Sequence, residues 1–315
     1  MTESKASIPI VVLTPTKNEA WIIKYFLEAT LNFAHHIIIA DQNSTDETVS
    51  ICNEYSNVTV IKNESDKYDE AYRQMLLLDT ARKMFPGDKI IFALDADEII
   101  SADSIDAAAW IDLKKQKPGT VFYFEKPELY INTTQTIRYY HRYYPLAFID
   151  DDTISHHPKA VHSIRIPTSI AQPKVEIDTI KFLHVAYLRP KTQRAKYRFY
   201  AVQENMLNTS PWYRRRRRYR NGNHLLHWEV VENAPNEWFK YESQIKIDLS
   251  EISDPEISWY DLAIKEAFEK YGTRKFWLDD IWDQEWQTIF KSSPRIKNPP
   301  KFLTSLLKFT DKFNK

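Results

Sequence analysis

The sequence predicts an α/β fold built on a mostly parallel sheet flanked by helices. Three observations carry this. Over roughly the first 120 residues, short apolar runs alternate with longer stretches whose apolar residues recur at helical spacing. The runs are apolar throughout rather than at every second residue, as strands covered on both faces must be. Three of the runs end in polar clusters, and open parallel sheets bind ligands beyond the carboxyl ends of their strands.

The elements follow in order. "IPIVVLT" reads as the first strand. "NEAWIIKYFLEATLNFA" reads as a helix with Asn18 as its N-cap and Trp21, Ile22, Tyr25, Phe26, Ala29 and Phe33 on one face. "HIIIA" is the second strand. "STDETVSICNEY" opens with Ser44 and Glu47 three residues apart, the spacing of a capping box. "NVTVI" is the third strand. "KYDEAYRQMLLLDTARKMF" is a helix ended by Pro86-Gly87. "KIIFAL" is the fourth strand, and "SIDAAAWIDLKKQK" a helix ended by Pro118-Gly119. Beyond Gly119 the pattern changes to aromatic-rich extended segments such as "TVFYFEKPELYI" and "TIRYYHRYYPLAFI". Helical signals return in "RPKTQRAKYRFYAVQENML", "DPEISWYDLAIKEAFEKY" and "DDIWDQEWQTIFKS".

The 315 residues carry 43 basic and 43 acidic side chains, but unevenly: residues 1–110 hold 9 basic and 18 acidic ones. A phosphate ligand on that acidic half would want a metal, whereas the basic remainder suits an anionic surface such as lipid headgroups or, as the rival reading, RNA. Cys52 is the only cysteine, which excludes an internal disulfide and fits a reducing compartment. "MTESKASIPIVVL" reads as a first strand rather than a secretory signal. No apolar run approaches the ~18 residues of a spanning helix.

Chemistry concentrates where the strands end. The polar clusters are "TPTKNEA", "DQNSTDET" and "DADE", and they should converge on one rim. The chain has four glycines, so it contains neither a G-x-G-x-x-G turn nor a P-loop. Asp95 and Asp97, at i and i+2 on a strand end, repel each other and resist burial. They become tolerable if they hold a hard divalent cation that bridges phosphates. Glu98 is either part of this or a solvated acid.

"VVLTPTKNEA", "IIIADQNSTDETV" and "IIFALDADEII", in this order and spacing, resemble the donor half of family 2 glycosyltransferases with the A-type nucleotide-sugar fold, a Rossmann-like sheet. The resemblance covers about residues 8–105. It implies a donor-binding half over 1–120, an acceptor-binding half over 121–250, and a C-terminal helical region over 251–315. Pro15, Thr16 and Glu19 match the loop that touches the nucleoside, Asp41 the acid that meets the base, and Arg73 an arginine beside base and phosphates. Asp95 matches the acid near ribose and metal, and Asp97 the direct ligand of Mn2+ or Mg2+. "VHSIRIP" and "IKFLHVAYLRPKTQRAKYRFY" resemble segments of a subgroup whose acidic motif reads "DADE" and which includes lipopolysaccharide-core and capsule enzymes. That makes His184 a third metal or phosphate ligand and His162 an acceptor-site residue. Inversion needs a general base, and Asp150, Asp151 and Asp152 fall where the family's acceptor-side acid often does.

The implied activity is metal-dependent transfer of one sugar from a UDP- or GDP-sugar to a saccharide or lipid-linked acceptor. A polymerising Q-x-x-R-W motif is absent. The runner-up enzyme, a sugar-1-phosphate nucleotidyltransferase, would want a Gly-rich loop after the first strand. A non-enzymatic alternative is RNA binding by Arg214–Arg218, although no nucleic-acid partner is expected. "KFLTSLLKFTDKFNK" reads as an amphipathic tail, suited to a cytoplasmic enzyme held peripherally on the inner face of the plasma membrane.

Overall fold

A computed structural model describes residues 8–65, 69–138, 142–160, 162–169, 171–219, 230–242, 245, 247–279 and 299–311. The chain divides into two compact units, one comprising residues 1–188 and 227–252, the other 189–226 and 253–315.

The first unit is built on an eleven-stranded sheet. Its parallel core is β1 (Ile10–Thr16), β2 (His36–Asp41), β3 (Val58–Lys62) and β4 (Lys89–Ala93), lying in the order β4-β1-β2-β3. These are the four apolar runs of the sequence. The sheet continues from β4 through β9 (Tyr143–Asp150), β6 (Val121–Glu125), β10 (Lys174–His184), β7 (Glu128–Leu129), β8 (Gln135–Arg138) and β11 (Val230–Asn233), while β5 (Glu98–Ile100) pairs with β10. Only β5, β8 and β9 run against the rest. The mostly parallel sheet flanked by helices expected from the sequence is therefore present.

Helices α1 (Ile23–Thr30), α2 (Thr48–Cys52), α3 (Glu70–Met84) and α4 (Ala109–Leu113) cover this sheet. One face buries an aromatic cluster in which Phe92, Phe124 and Phe182 are fully enclosed and lie 5.4–5.8 Å apart ring to ring. Each such ring contributes about 1.5–3 kcal/mol by burial. The other face packs Val11, Leu13, Ile38 and Ile91 against Leu77, Leu78 and Ala81 of α3.

Two expected caps are different in the structure. Asn18 does not cap α1, which starts at Ile23; it sits in the left-handed region and receives a hydrogen bond from Thr45 N at 2.7 Å. Ser44 does not cap α2, because its hydroxyl donates to Asp41 at 2.5 Å. Both side chains serve the loops instead.

The second unit contains α5 (Pro190–Leu207), α6 (Trp212–Tyr219), α7 (Trp259–Tyr271) and the C-terminal helix Lys301–Asp311. The arginine run lies in α6. Arg215 and Arg216 are buried; Arg215 pairs with Asp279 at 2.7 Å and Arg218 pairs with Glu204. Arg214, Arg217 and Arg218 are exposed beside Tyr213, so the run is divided between internal ion pairs and surface charge. Most of the expected helix "DDIWDQEWQTIFKS" lies outside the described residues.

Candidate active site

The carboxyl ends of β1, β2 and β4 form one rim, as their register requires: Thr16 lies beside Asp41, and Leu13 beside Ala93. The loops after β1 and β2 are stitched together. Asn18 N donates to Ser44 Oγ at 2.8 Å, Glu19 N to Thr48 Oγ1 at 2.8 Å, and Ala20 N to Asp46 Oδ2 at 3.1 Å. Asp41 is buried at their base and accepts from Thr16 Oγ1 at 3.1 Å and from Ser44 N at 2.9 Å. Pro15 is half-buried on the same rim, and Glu19 accepts from the Trp21 indole at 2.7 Å. Cys52 is buried nearby. Burial and then the Asp41 charge push its thiol up to about 12, so it behaves as a small hydrophobe.

The acids after β4 meet three cations. Glu98 is fully buried. Arg165 grips it in a fork, Nη1 to Oε2 and Nη2 to Oε1, both at 2.7 Å, and Lys126 Nζ reaches Oε1 at 3.0 Å. Burial pushes the Glu98 carboxyl up, but Arg165 and Lys126 outweigh it and hold it well below the usual carboxylate range. Glu98 is therefore not a solvated acid. Arg165 also bonds the Ala93 carbonyl at 3.2 Å and lies 3.4 Å from Asp95. A small pocket beneath is lined by Pro15, Arg73, Gln74, Ala93 and Arg165, so two guanidinium groups meet the β1 loop there.

β5 runs antiparallel to β10 with Glu98 opposite His184, and Val185 N bonds the Asp97 carbonyl at 2.9 Å. This pairing sets His184 Nε2 3.4 Å from Asp97 Oδ2, while its Nδ1 lies 2.6 Å from Glu128 Oε1. Burial disfavours the imidazolium, but Glu128 and Asp97 outweigh that and raise the His184 pKa to about 9. Among the described residues, no group of three His, Cys, Asp or Glu side chains is placed to hold one metal ion; Asp97 and His184 converge as a pair.

The structure thus brings together Pro15, Thr16, Glu19, Asp41, Arg73, Asp95, Asp97 and His184. His162 is exposed in a left-handed turn on the segment that leads to Arg165. The expectation of a general base in Asp150–Asp152 is corrected. Asp150 pairs in register with Lys89, the first residue of β4, so it stands at the opposite end of the sheet. Asp95 lies six positions along the chain from Lys89, roughly 20 Å if extended. Asp150 is fully buried between Arg82 at 2.7 Å and Lys89 at 3.1 Å, and Asp152 pairs with Lys89 at 2.5 Å. Asp151 accepts from Thr153, which lowers its pKa. These acids are structural ion-pair and turn residues.

Sequence reasoning missed Lys126, Glu128 and Arg165. Their signal was present: charged residues interrupt the apolar segments "VFYFEKPEL" and "SIRIP".

Among solved structures, a nucleotidyl transferase from Methanothermobacter thermautotroptrophicus matches 44% of this chain and 70% of its own, at 14% identity and a TM-score of 0.30. Glucosyl-3-phosphoglycerate synthase from Mycobacterium tuberculosis, solved with Mn2+, UDP and glucosyl-3-phosphoglycerate, matches 39% of this chain at 18% identity and a TM-score of 0.29. The match spans 45% of that synthase, less than half. No curated protein matches the chain. The family model described as "Glycosyl transferase family 2" matches residues 11–157, which hold β1 to β9 and the rim from Pro15 to Asp97. Residues 11–157 of this chain thus resemble a glycosyl transferase family 2 domain.

Proposed function

We propose that the protein moves one sugar, with inversion, from a UDP- or GDP-sugar to a saccharide or lipid-linked acceptor. Donor binding is assigned to residues 1–120 and acceptor binding to 121–250. The observation that carries the reading is the rim itself, where Asp41 and Thr16 lie on one side, Asp95 and Asp97 on the other, and Arg73 and Arg165 share a pocket with Pro15 between them. Asp41 meets the base, and the two guanidinium groups meet the diphosphate, whose planar fork geometry suits phosphate oxygens. The "DADE" subgroup it resembles makes surface polysaccharide or lipopolysaccharide the fitting product class.

The residues also fit a divalent ion, Mn2+ or Mg2+. The raised pKa keeps a proton on His184 against Asp97, and an ion seated between them would take the place of that proton. Glu128 takes the Nδ1 side of the imidazole and leaves Nε2 toward Asp97, the usual orientation of a ligating histidine. Asp97 and His184, which converge as a pair, would hold the ion, with Asp95 assigned beside them by the family resemblance alone, and when bound it would neutralise charge on the departing diphosphate. Arg165 orients Asp95 from the other side.

The test is calorimetry with UDP, GDP and CDP on the wild type and Asp41→Ala. Losing the Asp41 acceptor should cost about 1–3 kcal/mol for the preferred nucleotide. Equal affinity of both proteins for every nucleotide refutes the assignment.

A second reading concerns location. In the C-terminal helix Phe302 is 74%, Leu306 55% and Phe309 56% exposed, at i, i+4 and i+7, while Leu307 on the other side is buried. The second unit carries 22 basic and 11 acidic side chains. Among the described residues no helix is long and apolar enough to cross a membrane. An apolar stripe on a cationic unit suits the interface of an anionic leaflet, which supports a peripheral enzyme on the cytoplasmic face. Phe302→Ser with Leu306→Ser should abolish co-sedimentation with anionic vesicles at low salt; equal pelleting of that variant and the wild type contradicts the reading.

A further inference from the structure

We propose that the cleft bounded by β6, β8, β10 and β11 binds the acceptor, and that it takes a saccharide carrying a carboxylate or phosphate. The proposal rests on the transferase reading above. The cleft has a volume of about 220 Å3 and lies wholly within the first unit. Trp238, Pro127, Pro235 and Ile137 supply its apolar lining. The rest is hydrogen-bonding surface of both signs, with Thr136, Asn233 and Glu232 facing three cations. Apolar lining that includes an indole, beside mixed donors and acceptors, suits a sugar ring, which packs its C–H face and bonds through its hydroxyls.

The charges specify more. Glu125 is the hub: Arg142 Nε and Nη2 bond its Oε1 at 3.0 and 2.5 Å, and Lys181 Nζ lies 4.0 Å from its Oε2. Glu125 thus pre-orients Arg142, whose guanidinium has further N–H donors beyond the two it gives to Glu125, while Lys181 Nζ is held by the Asp178 carbonyl at 2.8 Å. Lys126 adds a third cation at the edge of the cleft, shared with Glu98. Arg142, half-exposed and with donors beyond those given to Glu125, is the group that favours an anionic guest over a neutral one.

Position ties the cleft to the reaction. Lys126 lines it and also bonds Glu98, the carboxylate that Arg165 grips. Along β10, Lys181 and His184 are three residues apart, roughly 10 Å, and on opposite faces of the strand. Lys126 is therefore the side chain through which an acceptor seated here would border the rim.

The test titrates the full chain with glucose 6-phosphate, glucuronate and glucose, followed by calorimetry, in the wild type, in Arg142→Ala, in Arg142→Ala/Lys181→Ala, and in the control Lys174→Ala. The anionic sugars should bind the wild type and the control alike, more tightly than glucose, and at least about tenfold more weakly to the double variant. Binding of only one anionic sugar still supports the cleft and identifies its anion. Arg142 is half-exposed, so the single variant keeps the test open if the double variant fails to fold. Absence of anionic-sugar binding at millimolar concentration, equal affinity for glucose, or affinity unchanged in the variants overturns the proposal. UDP and GDP titrated into the same samples separate the two readings. Nucleotide binding without sugar binding sinks the cleft alone, and sugar binding without nucleotide binding sinks the transferase reading.

Discussion

Replacing Glu98 by alanine removes the anion around which the rim is built. The carboxylate is fully buried and accepts four hydrogen bonds: two from Arg165 at 2.7 Å, one from Lys126 at 3.0 Å, and one from Asp95 N at 3.0 Å. All four are charge-assisted, and three come from cationic donors. Truncation strands two cations in a buried site, and breaking a buried ion pair in this way costs about 3–5 kcal/mol. Glu98→Gln keeps the shape and one acceptor oxygen and should fall short of that loss. The assay is guanidinium unfolding followed by tryptophan fluorescence, with a double-mutant cycle pairing Glu98→Gln with Arg165→Met. The cycle should show the double variant less destabilised than the sum of the singles, since it removes both charges together. The pH dependence has a definite sign. The folded carboxyl titrates below its unfolded value, so its contribution is present above an unfolded pKa near 4.3. It is lost only as the pH falls through the lower folded pKa. A loss under about 1 kcal/mol in Glu98→Ala would refute the description of the rim as a buried charge network.

Two further outcomes follow from the structure. Asp151→Ala should leave transfer intact and Asp150→Asn should cost several kcal/mol of stability, because Asp150 lies between Arg82 and Lys89 at the far end of the sheet; loss of transfer in Asp151→Ala, with donor affinity retained, would restore the acid triplet as the source of the base. His156 is half-buried against Gln74, at 2.9 Å, and burial lowers its pKa to about 4. Its contribution is therefore present above its unfolded pKa near 6.5 and fades as the pH falls toward 4, about 1–2 kcal/mol once solvent screening is allowed for; melting curves of His156→Gln that keep the wild-type slope across that window would contradict this.

Much of the rim could be read from the sequence because its parts are local. β1 to β4 are continuous apolar runs, and the polar residues that follow each run land together once the strands lie in parallel. The partners of those residues were not legible, because they arrive from far along the chain. Arg165 grips an acid 67 positions away, and Lys126 one 28 positions away. A divalent ion on Asp95 and Asp97 is one way for the acids after β4 to tolerate burial, and Arg165, Lys126 and His184 are another that no local pattern reveals. Lys89 was read inside an apolar strand, yet it is a fully buried ammonium paired with two carboxylates from the end of β9 and just beyond it. That pairing fixes Asp150 at the wrong end for catalysis. Asn18 and Ser44 were assigned to helix starts on local spacing, and cross-loop hydrogen bonds claimed them instead. The arginine run was legible as charge but not as burial, since Asp279 is 64 residues from Arg215.

The central claim is that the rim formed by Asp41, Asp95, Asp97 and His184 binds a nucleotide-sugar together with a divalent ion. The most direct measurement is hydrolysis of a panel of UDP- and GDP-sugars without acceptor, in Mn2+ and in EDTA, by the wild type and Asp97→Asn. The account predicts slow hydrolysis of one donor class by the wild type in Mn2+, lost in EDTA and lost in Asp97→Asn while the melting temperature is retained. Full hydrolysis by Asp97→Asn, or undiminished wild-type hydrolysis in EDTA, would contradict it.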